Sequence, residues 1–205
     1  MAIKGLAIPV VGTYENNNGN VTYKNPTVAG AAVEYGVSWE TSDDNPLYAD
    51  NAIRENDNGT FQSGELTLGT DDLSENISKT LLGLKTRTDT FGNGKKATVT
   101  IYDDDAKAPF LGFGIIETHQ IDNADSFRVV FLPKVQFRLP ENAATTKGES
   151  IEWQTPSITA SVMRSDQANE NGKHPWMEDA WFDNEADAIE YLKFRCGYTE
   201  VETNE

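Results

Sequence analysis

The side chains that could do chemistry are few and scattered. Asp103-Asp104-Asp105 followed by Lys107 invites comparison with a calcium loop, which needs oxygen ligands at alternating positions, a central glycine and a distant bidentate glutamate. Lys107 occupies the third ligand place, so a hairpin turn with solvated carboxylates is the better reading. His119 and His174 are the two histidines and Cys196 is the single cysteine, and their separation offers no zinc-ligand spacing. A Ser-His-Asp triad stays open because its members meet only in space, although no nucleophile-elbow sequence is present. Gly112-Phe113-Gly114 with Glu117 has the look of a phosphate-binding turn, yet a third glycine and a following helical pattern are missing; it reads as a glycine-containing strand. Trp39, Trp153, Trp176 and Trp181 are either packing aromatics or the sugar-stacking platform of a binding module. No catalytic, cofactor-binding or metal-ligating set emerges, and the chain is not expected to be an enzyme.

Charge narrows the partners. Thirty-three acidic against 17 basic residues give a formal charge of −16, the wrong sign for gripping a phosphate backbone through ion pairs. Most of these carboxylates serve solubility. A negative wall would also let nucleic acid slide past without adhering, through repulsion felt over a Debye length of about 8 Å. No apolar run approaches bilayer-spanning length, and the N-terminal residues break at Gly5 and Pro9, so neither a membrane span nor a signal peptide is expected. A single cysteine rules out an internal disulfide and suits folding in a reducing cytoplasm.

The elements that must position these residues are mostly strands. Residues 21–23, 31–39, 61–68, 97–102, 110–117 and 127–139 are rich in β-branched and aromatic types. In the fourth, Ala97, Val99 and Ile101 alternate with Thr98, Thr100 and Tyr102, the pattern of one buried face. In the last, Phe127, Val129, Phe131, Val135 and Phe137 share one parity, so one face is expected to stay apolar through Pro133, with an edge position or local break at that proline.

Two segments have helical period and stop signals. The first is expected over 71–82, with Asp72 and Glu75 serving its free N–H groups, Leu73, Ile77 and Leu81 on one face, and Gly83 as terminator. The second runs over about 185–196, capped by Asp183 or Asn184, with Ile189, Leu192 and Cys196 as its stripe and Gly197 as stop. A long polar loop is expected over 41–60, a candidate contact arm to another subunit, and a shorter one over 166–174 that connects two strands and little more. Many short strands with these helices point to a single mainly β (α+β) domain over residues 1–205, a β-sandwich or barrel with a helix packed on it and a short C-terminal helix.

One further run is distinctive. In Lys147-Gly148-Glu149-Ser150-Ile151-Glu152-Trp153-Gln154-Thr155-Pro156, Ile151 and Trp153 are apolar at odd positions, whereas Ile158, Ala160 and Val162 are apolar at even ones. A bulge or bend at the proline is the simplest explanation.

That run, together with Asp44-Asn45-Pro46-Leu47-Tyr48-Ala49-Asp50, Leu66-Thr67-Leu68-Gly69-Thr70-Asp71-Asp72-Leu73-Ser74, Leu81-Leu82-Gly83-Leu84 and Lys134-Val135-Gln136-Phe137, resembles the major tail proteins of long-tailed phages of Gram-positive bacteria. Ala180-Trp181-Phe182-Asp183 and the helix after it resemble the end of that family, so the resemblance covers nearly the whole chain. It implies a virion structural protein, the protomer of hexameric rings that stack into the tail tube through which DNA passes without sequence-specific binding. It implies assembly in the host cytoplasm, no cofactor, and tape measure, tail terminator and distal tail proteins as partners besides the chain itself. It also implies the β-sandwich-plus-helix fold shared with phage tube proteins and the type VI secretion tube. No C-terminal immunoglobulin-like domain is expected, because too few residues follow the last helix. In this role Asn45, Pro46, Leu47, Tyr48, Ala49 and Asp50 form the expected inter-subunit contact arm. The alternative of a different class is a β-sandwich carbohydrate-binding module of a tail or surface protein, with Trp176 or Trp181 in its site.

Overall fold

A computed structural model describes residues 2–121, 123–140 and 155–198. Among them the chain is mainly β. The strands are β1 (Ala2–Asn17), β2 (Asn20–Val28), β3 (Ala32–Thr41), β4 (Asn45–Ala49), β5 (Ala52–Asp57), β6 (Phe61–Thr70), β7 (Lys85–Phe91), β8 (Lys95–Ile101), β9 (Leu111–Ile121), β10 (Ala124–Phe137), β11 (Ser157–Met163) and β12 (Glu178–Phe182). Helix α1 (Glu75–Leu82) lies between β6 and β7, and α2 (Glu185–Arg195) follows β12.

Eight strands form one antiparallel sheet in the order β2-β1-β9-β10-β11-β6-β3, with β12 beside the first part of β10. The sheet curls. Tyr35 on β3 stacks on Phe113 of β9 with ring centroids 6.2 Å apart, although three strands separate them in the ladder. The concave side holds the larger core, in which Leu111, Phe113 and Ile115 of β9 meet Leu66 and Leu68 of β6 and Ile158, Ala160 and Val162 of β11. Leu81 and Leu82 of α1 and the following Leu84 complete it.

Helix α2 covers the opposite face. Asn184 caps it by accepting a hydrogen bond from the Asp187 N–H at 3.0 Å, and Gly197 turns the chain away at φ 87°. Its buried stripe, Ala188, Leu192 and Cys196, packs on Val10, Ile116, Val129 and Phe131. Ile189 is only partly buried there, so the stripe is centred one position from its expected place. Close approach needs glycine beneath it: a Cβ on Gly12 would lie 2.3 Å from the Cys196 carbonyl oxygen, and one on Gly114 would lie 2.3 Å from Leu192 Cδ1. Gly112 lies under the Tyr23 ring in the same way. The two glycines of Gly112-Phe113-Gly114 are therefore packing positions on a strand.

Several expectations are corrected. Residues 41–60 are not a loop; they carry the β4–β5 hairpin. Helix α1 begins at Glu75 with Ser74 as its cap residue, because Asp71 is engaged elsewhere, accepting from the Ala31 N–H at 2.7 Å. Parity does not persist through Pro133. Phe127, Val129 and Phe131 face α2, whereas Val135 and Phe137 join the concave core, since the register against β9 shifts between Leu132 and Val135. At the same point β10 changes partner, from β12 ending at Phe131 to β11 beginning at Lys134, so a central strand tolerates a residue without an N–H. β1 runs past Gly5 and Pro9 as one bulged strand. The aspartates 103–105 lie in the link from β8 to β9, which belong to different sheets, and not in a hairpin. Residues 147–154 lie outside the described residues, and with them the expected parity switch before Pro156.

Candidate interaction surfaces

The six residues expected to form the contact arm are β4 and the first turn residue of the hairpin it makes with β5. Asp50 and Asn51 have φ values of 53° and 61°, the left-handed pair of a two-residue type I′ turn, and Asp and Asn are among the few side chains that tolerate it. Leu47 pairs with Glu55 while Tyr48 pairs with Ile53, leaving Arg54 as an extra residue that twists β5. This two-stranded sheet joins no other strand among the described residues. Leu47, Tyr48 and Ile53 are 59%, 64% and 58% exposed, which leaves the hairpin without a core of its own.

Its base is nonetheless fixed. The Ser42 and Thr60 N–H groups donate across the neck to the Thr60 carbonyl and the Ser42 hydroxyl, each at 2.9 Å. Asp44 accepts from the Gly59 N–H at 3.0 Å and from Asn56 at 3.3 Å, and these bonds, the Gly59 one first, hold its carboxyl below the ordinary range. A Cβ on Gly59 would lie 1.8 Å from the Ser42 carbonyl oxygen, so only glycine fits the neck. The result is an arm held rigidly at its root and joined to no other strand among the described residues.

A second hairpin, β7–β8, also stands apart as a two-stranded sheet, turning through Gly92 and Gly94 at φ 53° and 79°. Here sequence reasoning saw only β8; the alternating Thr86, Thr88 and Thr90 before a Gly-Asn-Gly turn were the signal for β7. The face of β8 expected to be buried, Ala97, Val99 and Ile101, is only half-buried, and Phe91 is exposed. β2 and β3 leave the two ends of the main sheet unpaired among the described residues.

The chemistry-bearing residues fall into separate places. His119 is buried on β9, with Nε2 2.9 Å from Glu117 Oε2, and its ring lies 4.9 Å from that of Trp181. Arg128 donates to the same buried Glu117 at 3.3 Å and to Asp179 at 2.9 Å, so the cluster is a satisfied charge network apart from the buried His119 Nδ1. His174 instead pairs through Nδ1 with the Ser165 carbonyl. Cys196 is fully buried, and burial pushes its thiol up to about 12. Among the described residues no three His, Cys, Asp or Glu side chains gather as a metal site would require, and no helix is long and apolar enough to cross a membrane.

A cleft of about 650 Å³ opens beside the neck of the first hairpin, walled by Trp39, Phe61, Trp176, Arg164 and His174. Phe61 and Trp176 stack face to face at 4.5 Å, which uses one face of the tryptophan. Trp181 is remote from this cleft in its contacts, and Trp153 lies outside the described residues. The connection over residues 166–174 does more than link two strands: Asp166 accepts from Lys134 at 2.8 Å and from Tyr14 at 3.0 Å, pinning β11, β10 and β1 together. The Lys134 bond is the main reason the Asp166 carboxyl is held below its ordinary range. No protein-family model matches this chain, and no curated protein resembles it at a significant level.

Proposed function

We infer that this chain is a structural protein that works by self-association, as the protomer of a phage tail tube whose hexameric rings stack into a conduit for DNA. The observation that carries the reading is the β4–β5 hairpin: it is rooted firmly, yet Leu47, Tyr48 and Ile53 are exposed among the described residues. Open edges at β2 and β3 support it, since lateral pairing between copies is the usual fate of such edges when they are not blocked. The charge of −16 suits a bore that does not retain phosphate backbones. On this reading the protein is not an enzyme and binds no cofactor. Tape measure, terminator and distal tail proteins are its further partners, and it passes from host cytoplasm into the virion tail.

Replacing residues 45–57 by a short Gly-Ser turn tests this. Sedimentation velocity should find a folded monomer that no longer associates at concentrations where the intact chain does. Unchanged association without the hairpin sinks the reading of it as the contact arm.

A carbohydrate-binding module is the second reading, favoured by the aromatic cleft of Trp39, Phe61 and Trp176. A glycan array with the purified chain decides it.

A further inference from the structure

The two projecting hairpins carry opposite charge. From Asp43 to Asn58 there are five acidic residues, Asp43, Asp44, Asp50, Glu55 and Asp57, against Arg54 alone, a net of −4. From Lys85 to Ile101 there are four basic residues, Lys85, Arg87, Lys95 and Lys96, against Asp89 alone, a net of +3 in a chain of −16. Each hairpin is a two-stranded sheet without further strand partners among the described residues, and each exposes apolar side chains: Leu47, Tyr48 and Ile53 on the acidic one, Phe91 on the basic one.

We propose that the acidic β4–β5 hairpin of one copy docks on the basic β7–β8 hairpin of a neighbouring copy. This rests on the self-association argued above and names its contact. Like charge keeps two acidic hairpins apart, whereas an acidic and a basic one attract, and the half-open face of Ala97, Val99 and Ile101 gives the apolar side chains cover. Strand β4 is about 17 Å long at ~3.4 Å per residue, so the hairpin offers an extended edge to a neighbour. The acidic and basic hairpins are different patches of the same chain, so when each engages a different neighbour the contact is heterologous and, repeated, closes a ring or continues a stack.

The test uses two charge-reversed full-length chains, Asp50→Lys with Glu55→Lys, and Lys95→Glu with Lys96→Glu. All four side chains are exposed. Each variant alone should associate at least about tenfold more weakly than the unchanged chain. An equimolar mixture should recover association, because every contact between alternating copies is again complementary. In the unchanged assembly a zero-length carboxyl-amine cross-linker should join Lys95 or Lys96 of one copy to Asp50 or Glu55 of another. Variants that associate as the unchanged chain does, or a mixture that gains nothing, overturn this pairing and leave the tube reading standing. Recovered complexes that never form rings or tubes keep the pairing and sink the tube. An unchanged chain that stays monomeric at every concentration removes both.

Discussion

Asp44 Oδ1 accepts the Gly59 N–H at 3.0 Å, and that bond, beside the Ser42–Thr60 pair, ties the neck of a hairpin that joins no other strand among the described residues. Asp44→Ala removes the bonds to Gly59 and Asn56, leaves the Ser42–Thr60 pair, and does not enter the core, since Asp44 is exposed. The thermal midpoint should not move, while the concentration needed for half-maximal self-association rises. A variant that associates normally would mean that a rigid neck is unnecessary.

Gly12 is where the end of α2 meets β1. Gly12→Ala forces the Cys196 carbonyl away and should cost about 1–3 kcal/mol in urea unfolding, as overpacked core sites do. The buried Cys196 thiol, held protonated at neutral pH, reports the same event. It should resist a thiol reagent in the native chain and react markedly faster in the variant. Equal rates would place the α2 contact elsewhere.

Asp166 binds Lys134, Tyr14 and Asn16 at once. Its carboxyl is depressed in the folded state, so the unfolded chain takes up the proton first as pH falls. The stabilisation is complete above the unfolded value of about 3.9 and fades as pH drops through the lower folded one. Asp166→Asn should therefore lose about 1 kcal/mol at pH 7, discounted for partial exposure, with the gap to the unchanged chain narrowing below pH 4. A gap that widens in acid contradicts this.

Much of the framework was legible because single residues signalled it. Strand-forming residues in 110–117 marked β9, Gly83 and Gly197 marked both helix ends, and Asn184 was one of two named caps for α2. The acidic hairpin was located but misread as a loop: its strands are short, contain Pro46 and Asn45, and lack a buried face, so no period of two could show. Its one local sign was Asp50-Asn51 between Leu47-Tyr48 and Ala52-Ile53. The change of face at Pro133 was hidden for a different reason. Val135 and Phe137 share parity with Phe131 in the sequence, and only the register slip against β9 reveals that they point to another core. The opposite charges of the hairpins were in the sequence throughout, but acquire meaning only once both are seen to stand off the main sheet.

Salt separates long-range from contact electrostatics. Between ~10 mM and 150 mM ionic strength the Debye length falls from about 30 to about 8 Å. Repulsion between chains of −16 acts over that longer distance, whereas charges in hairpin contact sit well inside the shorter one. Association followed by turbidity should strengthen over this range. A steady decline from the lowest salt upward would count against assembly limited by net repulsion.

The central claim is that copies of this chain complete one another. Negative-stain electron microscopy of the purified protein at high concentration tests it most directly. Six-membered rings stacking into hollow tubes are predicted, and lost on removal of residues 45–57. Single, unassociated particles at every concentration of the intact chain would contradict it.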